Sequence, residues 1–336
     1  MNIDELHQQS LIIDGLVFYS DGDVSELKQG NISAANVTVS HFEGDYEQSC
    51  EQIAHWLNEL EKENSAWHLI ESINDLEVAQ RTNKVGLIMG WQNMRAIGDN
   101  LDRLAFFKKL GVRIMQLTYN RRNFLGDGCL EKYDGGLSGL GRQAIEKMND
   151  LGIAIDLSHV GDITALQAAQ HSQQPVLITH ANAKAVVDVP RNRTDDLIKA
   201  VAQGGGLIGT SVYGTMCWDG NKQRRPHLTD YIEQLEYICN LVGIEHVAIG
   251  TDLPVVSDLE KVKAITEMTL KRFPEAIGDY AEAFGNDIRD RYVEGVTCHA
   301  EITNISLALR ERGWKDNELK ALLGENFKRV LGEIWH

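Results

Sequence analysis

The sequence predicts a (β/α)8 barrel, the TIM-barrel architecture, from three observations. Eight short runs rich in Val, Ile and Leu recur along the 336 residues, and most are separated by stretches of helical periodicity. Polar or charged residues stand where the runs end. An apolar run without clean alternation is the pattern of a strand buried on both faces of a parallel sheet. Eight alternations of such strands with helices close into a barrel whose chemistry sits at the C-terminal strand ends.

In chain order the predicted strands are 11–14, 36–40, 85–92, 112–120, 153–159, 175–180, 206–213 and 246–252. From the third onward, their ends carry Gln92, Tyr119 with Asn120, His159, His180, Tyr213 and Asp252. Helical periodicity marks 101–110, 137–151 and 228–241. A longer excursion at 41–82, read as mainly helical, follows the second strand, and another at 253–300 follows the eighth. Long insertions after strands commonly cover the active-site face, so both are expected to act as lids or dimer contacts. Gly204–Gly206 precede a strand and lack the Lys and Ser/Thr of a phosphate loop, so they read as a turn.

Composition narrows the function classes. At 43% hydrophobic residues the chain can fill one large core, and with 5 Pro and no Gly/Ser-rich linker it reads as one domain over 1–336. A formal net charge of −16 argues against nucleic acid or anionic membranes as partners. No run reaches the 18–20 apolar residues of a membrane span, and MNIDELHQQSLIIDG lacks the basic start of a signal peptide. The 5 Cys are scattered without CxxC spacing, which points to reduced thiols and a cytoplasmic protein. Cys129 and Cys217 stay open as ligands. No Gly-x-Ser-x-Gly elbow is present.

The strand-end residues suggest a site. His159 ends IAIDLSH and His180 ends PVLITH, so two neutral imidazoles on consecutive strands can converge on one metal ion, although either alone reads as a strand cap. Asp252 ends HVAIGTD and can take a proton from a bound water, or else cap a following helix. Arg191, in DVPRNRTDDL, suits a substrate carboxylate, or else a surface ion pair. Tyr119 and Tyr213 can donate to an oxyanion, or simply pack.

Several segments together resemble the renal (membrane) dipeptidase family, peptidase family M19 of the amidohydrolase superfamily: IDG, GLIMGWQN, LGVRIMQLTYN, DLSHV, PVLITHANAKAVVDVPRNRTDD, HVAIGTD and GENFKRVL. The resemblance implies a metal-dependent hydrolase barrel with two zinc ions. It implies an early His-x-Asp pair on one ion, a Glu bridging both after the third strand, and two histidines on the second. It further implies an Asp at the nucleophilic water, an Arg on the substrate carboxylate and a His polarising the scissile carbonyl. This sequence departs from that pattern. Leu16 and Phe18 stand at the His-x-Asp positions, Gln92 at the bridge and Tyr119 at the carbonyl-polarising His, while His159, His180, Arg191, Tyr213 and Asp252 match.

The leading expectation is therefore a dipeptidase-like amidohydrolase acting on a dipeptide or N-acyl amino acid with one zinc ion or none. His159, His180 and Gln92 would hold the ion, with Asp252 able to assist. Asp252 and Tyr119 would be catalytic, and Arg191, Tyr213 and Asn120 would bind substrate. One alternative is a metal-free acid–base enzyme acting on a small carboxylate. The other is a non-catalytic barrel that binds a small ligand. A homodimer is expected from the family alone.

Overall fold

The computed structural model describes residues 1–335. The strands are β1 (Ile13–Ser20), β2 (Ala34–Thr38), β3 (Trp67–Leu69), β4 (Val85–Trp91), β5 (Val112–Gln116), β6 (Ala154–Asp156), β7 (Leu177–Ile178), β8 (Leu207–Thr210), β9 (Val247–Ile249) and β10 (Leu253–Val255). All pairings are parallel, in the order β10-β1-β2-β4-β5-β6-β7-β8-β9, with β3 added beside β4. The two ends of this order, β9 and β10, are separated by only Gly250, Thr251 and Asp252. β9 pairs β8 while β10 pairs β1, and the Asp252 amide donates to the Leu16 carbonyl at 3.0 Å. The sheet thereby curls back on itself, giving the predicted (β/α)8 fold.

Alternate side chains on each barrel strand point inward. Ile13, Ala34, Ile88, Ile114, Ala154, Leu177, Leu207 and Ala248, one from each barrel strand when β9 and β10 count together, form one buried cluster. The helix Asn326–Ile334 adds Phe327, Val330, Leu331 and Ile334 to it and so plugs the N-terminal end of the barrel. The larger apolar core lies outside, between the strands and surrounding helices.

Helices Asp102–Lys109, Gly139–Leu151 and Leu228–Val242 fall where periodicity predicts them. Gly204 closes the helix Asp195–Gln203, and Gly205 takes φ +78°, so the triple glycine is a turn. Strand limits differ more. The first strand starts two residues late and continues to Ser20, because its second half pairs with β10, a partner that no local pattern reveals. β6 and β7 stop early because the Asp156 carboxylate captures the amides of Ser158 and Thr179, turning the chain out of the ladder.

The 41–82 excursion is not wholly helical. It carries helices Tyr46–Leu60 and Ile73–Arg81 but also β3. The 253–300 excursion begins with β10, and its first helix starts only at Glu260, so Asp252 caps no helix. Among the described residues no helix is long and apolar enough to cross a membrane.

Candidate active site

A cavity of about 580 Å³ opens at the C-terminal ends of the strands. It is lined by Gln92, Tyr119, Asn120, His159, Arg191, Tyr213 and Asp252, so seven of the eight predicted residues share one chamber. The eighth, His180, reaches it through His159, since the two Nε2 atoms lie 2.9 Å apart. Both insertions contribute walls. Phe42 stacks on Tyr119 with ring centres 4.1 Å apart, Tyr119 stacks on His159 at 4.1 Å, and Phe273 meets Tyr119 at 5.7 Å.

The histidines are oriented from behind. His159 Nδ1 lies 2.7 Å from Asn120 Oδ1, an acceptor, so this nitrogen carries the proton. The Cys129 thiol donates to the same oxygen at 3.4 Å. His180 Nδ1 lies 2.7 Å from Thr179 Oγ1, and that hydroxyl donates onward to Asp156 Oδ2 at 2.7 Å. Asp156 also accepts from the Ser158 hydroxyl and from the Ser158 and Thr179 amides. When that hydroxyl gives its proton to the carboxylate, Thr179 accepts from His180 Nδ1. With both Nδ1 atoms protonated, neutral rings present two Nε2 lone pairs to each other. Burial, then the Arg191 charge, hold both imidazoles well below the ordinary pKa of 6.5, so they are neutral at neutral pH.

Strand β7 holds His180 in place through a backbone packed tightly inside the barrel. A Cβ on Gly250 would stand 1.8 Å from the Thr179 carbonyl, and one on Gly209 2.1 Å from it. Glycine at both positions lets three strands converge directly beneath His180.

Asp252 and Asn120 both adopt left-handed backbone, at φ 61° and 56°. Asx residues tolerate this region, and its use here turns each side chain toward the strand ends. Burial pushes the Asp252 carboxyl up to about 7, opposed by the Arg191 charge. Tyr292, from the second insertion, donates its phenol to the Asp252 carbonyl at 2.5 Å. The Tyr119 and Tyr213 phenols are both pushed up, mainly by burial, and remain protonated donors. Arg191 is buried, and its guanidinium donates to the carbonyls of Ser158 and His180 rather than to a carboxylate, so the surface ion pair is not formed. Cys217 bonds with Asn182 away from the histidines.

The donor set does not suit two metal ions. Leu16 is buried and Phe18 lines the cavity, and neither offers a donor atom. Among the described residues no three His, Cys, Asp or Glu side chains gather as a cage. The histidine pair would take one ion only by opening slightly: two nitrogens on one zinc, 2.0–2.1 Å away at a near-tetrahedral angle, lie about 3.3 Å apart, against 2.9 Å here. Gln92 gives its Nε2 to Thr38 Oγ1 at 2.9 Å, leaving its amide oxygen as a neutral third donor.

Four features escaped the sequence reading. Phe42 and Tyr292 come from insertions with no informative spacing. Arg291, also from an insertion, lines the cavity. His299 bonds Asp14 at 2.7 Å, fully buried, and Asp14 in turn binds the Thr251 amide and hydroxyl.

Fold and site together define an amidohydrolase-type barrel. The family model for membrane dipeptidase (peptidase family M19) matches residues 18–273, and the chain belongs to that family of hydrolases. An uncharacterized protein from the pqqA 5′ region of Klebsiella pneumoniae is 27% identical over 245 residues, 71% of this chain and 78% of its own length. The dipeptidase aclJ of Aspergillus oryzae is 26% identical over 257 residues, 75% of this chain, which spans only 52% of that protein. Among solved structures, an amidohydrolase from Pseudomonas aeruginosa superposes with a TM-score of 0.84 at 30% identity, covering 100% of this chain and 99% of the other.

Proposed function

We propose that this protein hydrolyses the amide bond of a dipeptide or N-acyl amino acid, using a single zinc ion between His159 and His180. The observation that carries the proposal is the facing pair of Nε2 atoms, 2.9 Å apart, with both Nδ1 atoms engaged elsewhere. Two facing ring nitrogens this close are bridged by a proton or by a cation, and metal-bound histidines commonly donate their other nitrogen in this manner. Gln92 supplies the third, neutral donor. When bound, the ion acts as a Lewis acid that lowers the pKa of water and polarises a carbonyl.

The chain's own residues supply the rest. Arg191 holds the substrate carboxylate at the cavity wall. Asp252, with its carboxyl near 7, accepts the proton of the attacking water and returns it to the leaving amine. Tyr119 and Tyr213 stay protonated and donate to the oxyanion. We further propose that the chain acts in the cytoplasm, as a homodimer and as a single domain.

The metal-free reading, acid–base chemistry on a small carboxylate, rests on the neutral Gln92 at the bridging position and on the carboxyl value of Asp252. Hydrolysis of a dipeptide panel with and without chelator separates the two. Activity that is lost on chelation and in His180→Ala supports the hydrolase; activity that resists chelator but is impaired in His180→Ala supports the metal-free enzyme, and activity that resists both rules the metal hydrolase out.

A further inference from the structure

Four arginines are buried: Arg113, Arg191, Arg193 and Arg291. Arg113 is paired with Glu71 at 2.7 Å and Arg193 with Asp162 at 3.4 Å. Neither Arg191 nor Arg291 has a carboxylate within ion-pair distance among the described residues, and these two line the same cavity. Buried charges are normally paired, because removal from water is costly without a counter-charge.

Arg291 is held in place without being neutralised. Its Nε donates to Asn286 Oδ1 at 3.0 Å and its Nη2 to the Thr266 carbonyl at 2.6 Å, both uncharged acceptors. Its other polar neighbour is the Tyr213 phenol, also uncharged, and among the described residues no carboxylate takes its Nη1. The segment is tied to the site, since the Val293 amide donates to the Val212 carbonyl at 3.0 Å, beside Tyr213. Asp252, on the same cavity wall, forms an ion pair with neither guanidinium among the described residues.

We infer that the cavity selects a dianionic ligand, a dipeptide or acylated amino acid bearing a second carboxylate, with Arg191 and Arg291 each taking one. The second carboxylate supplies the counter-charge that Arg291 lacks. This inference rests on the reading of the cavity as the substrate site, but not on hydrolysis. Arg291 lies beyond residue 273, where the family match ends.

Isothermal titration of N-acetylglutamate against N-acetylglutamine, each as both enantiomers, tests it, since the pair differs by one charge at nearly constant shape. The wild-type protein is expected to bind one glutamate enantiomer about ten-fold or more tighter than its glutamine counterpart, as suits a charge-assisted bond to Arg. Arg291→Met is expected to erase that preference while leaving glutamine-derivative affinity within about two-fold, and Arg291→Lys to keep part of it. Equal affinities in the wild-type protein, no binding of any of the four, or a preference that survives Arg291→Met would overturn the inference. A preserved preference without hydrolysis would count against the proposed activity alone. Hydrolysis of neutral and acidic dipeptides at equal rates would count against the inference alone.

Discussion

At the residue scale, Asp252 is held against its own ionisation. Its half-buried carboxyl, desolvated at the cavity wall, is pushed up to about 7 from an ordinary 3.8. Because the folded value is the higher one, the group costs no stability below about pH 4. The loss grows as pH rises toward 7 and is constant above it, at about 1.4 kcal/mol for each unit of displacement. Asp252→Asn keeps a side chain that tolerates φ 61° and removes the ionisation. Thermal unfolding in chelator should show this variant melting above the wild type at pH 8, with the gap closing toward pH 4. Its hydrolysis should fall by about 10²-fold. A variant less stable than wild type at pH 8 would contradict the assignment. The strand-end residues were legible because each follows an apolar run that ends at the barrel mouth. Phe42, Arg291 and Tyr292 were not, because they reach the site from insertions whose paths depend on tertiary packing.

At the scale of elements, strand order and helix positions followed from apolar periodicity, whereas strand limits did not. β6 and β7 are shortened by one carboxylate, Asp156, that takes the amides of both. The same carboxylate anchors Thr179 and, through it, His180. The glycines below this assembly carry no local signal, since their role is close approach between strands far apart in sequence. Gly250→Ala forces a methyl to within 1.8 Å of the Thr179 carbonyl. Denaturant unfolding should report a loss of about 1–3 kcal/mol, the usual cost of overpacking. Zinc affinity should weaken as well, because the displaced backbone bears His180. A Gly250→Ala protein with unchanged stability would show that β7 and β9 are less tightly opposed than described.

The whole molecule is a closed barrel whose ends are joined by a buried polar lock. Asp14 of β1 holds the Thr251 amide at 2.8 Å between β9 and β10, and His299 from the last insertion bonds the same carboxylate at 2.7 Å. His299→Ala removes one of the donors to that buried carboxylate, leaving those of Thr251 and Leu16, and should lower stability by about 1–3 kcal/mol in chemical denaturation. A change below about 1 kcal/mol would mean the lock is not needed for closure. None of this was readable locally, because Asp14 and His299 lie at opposite ends of the chain. The central claim is that one cation belongs between the two imidazoles at the barrel mouth. Elemental analysis of protein prepared without chelator, set beside His180→Ala, tests it most directly. One zinc per wild-type chain and none in the variant is the expected result. Two tightly held ions, no zinc in the wild type, or equal content in both proteins would contradict it.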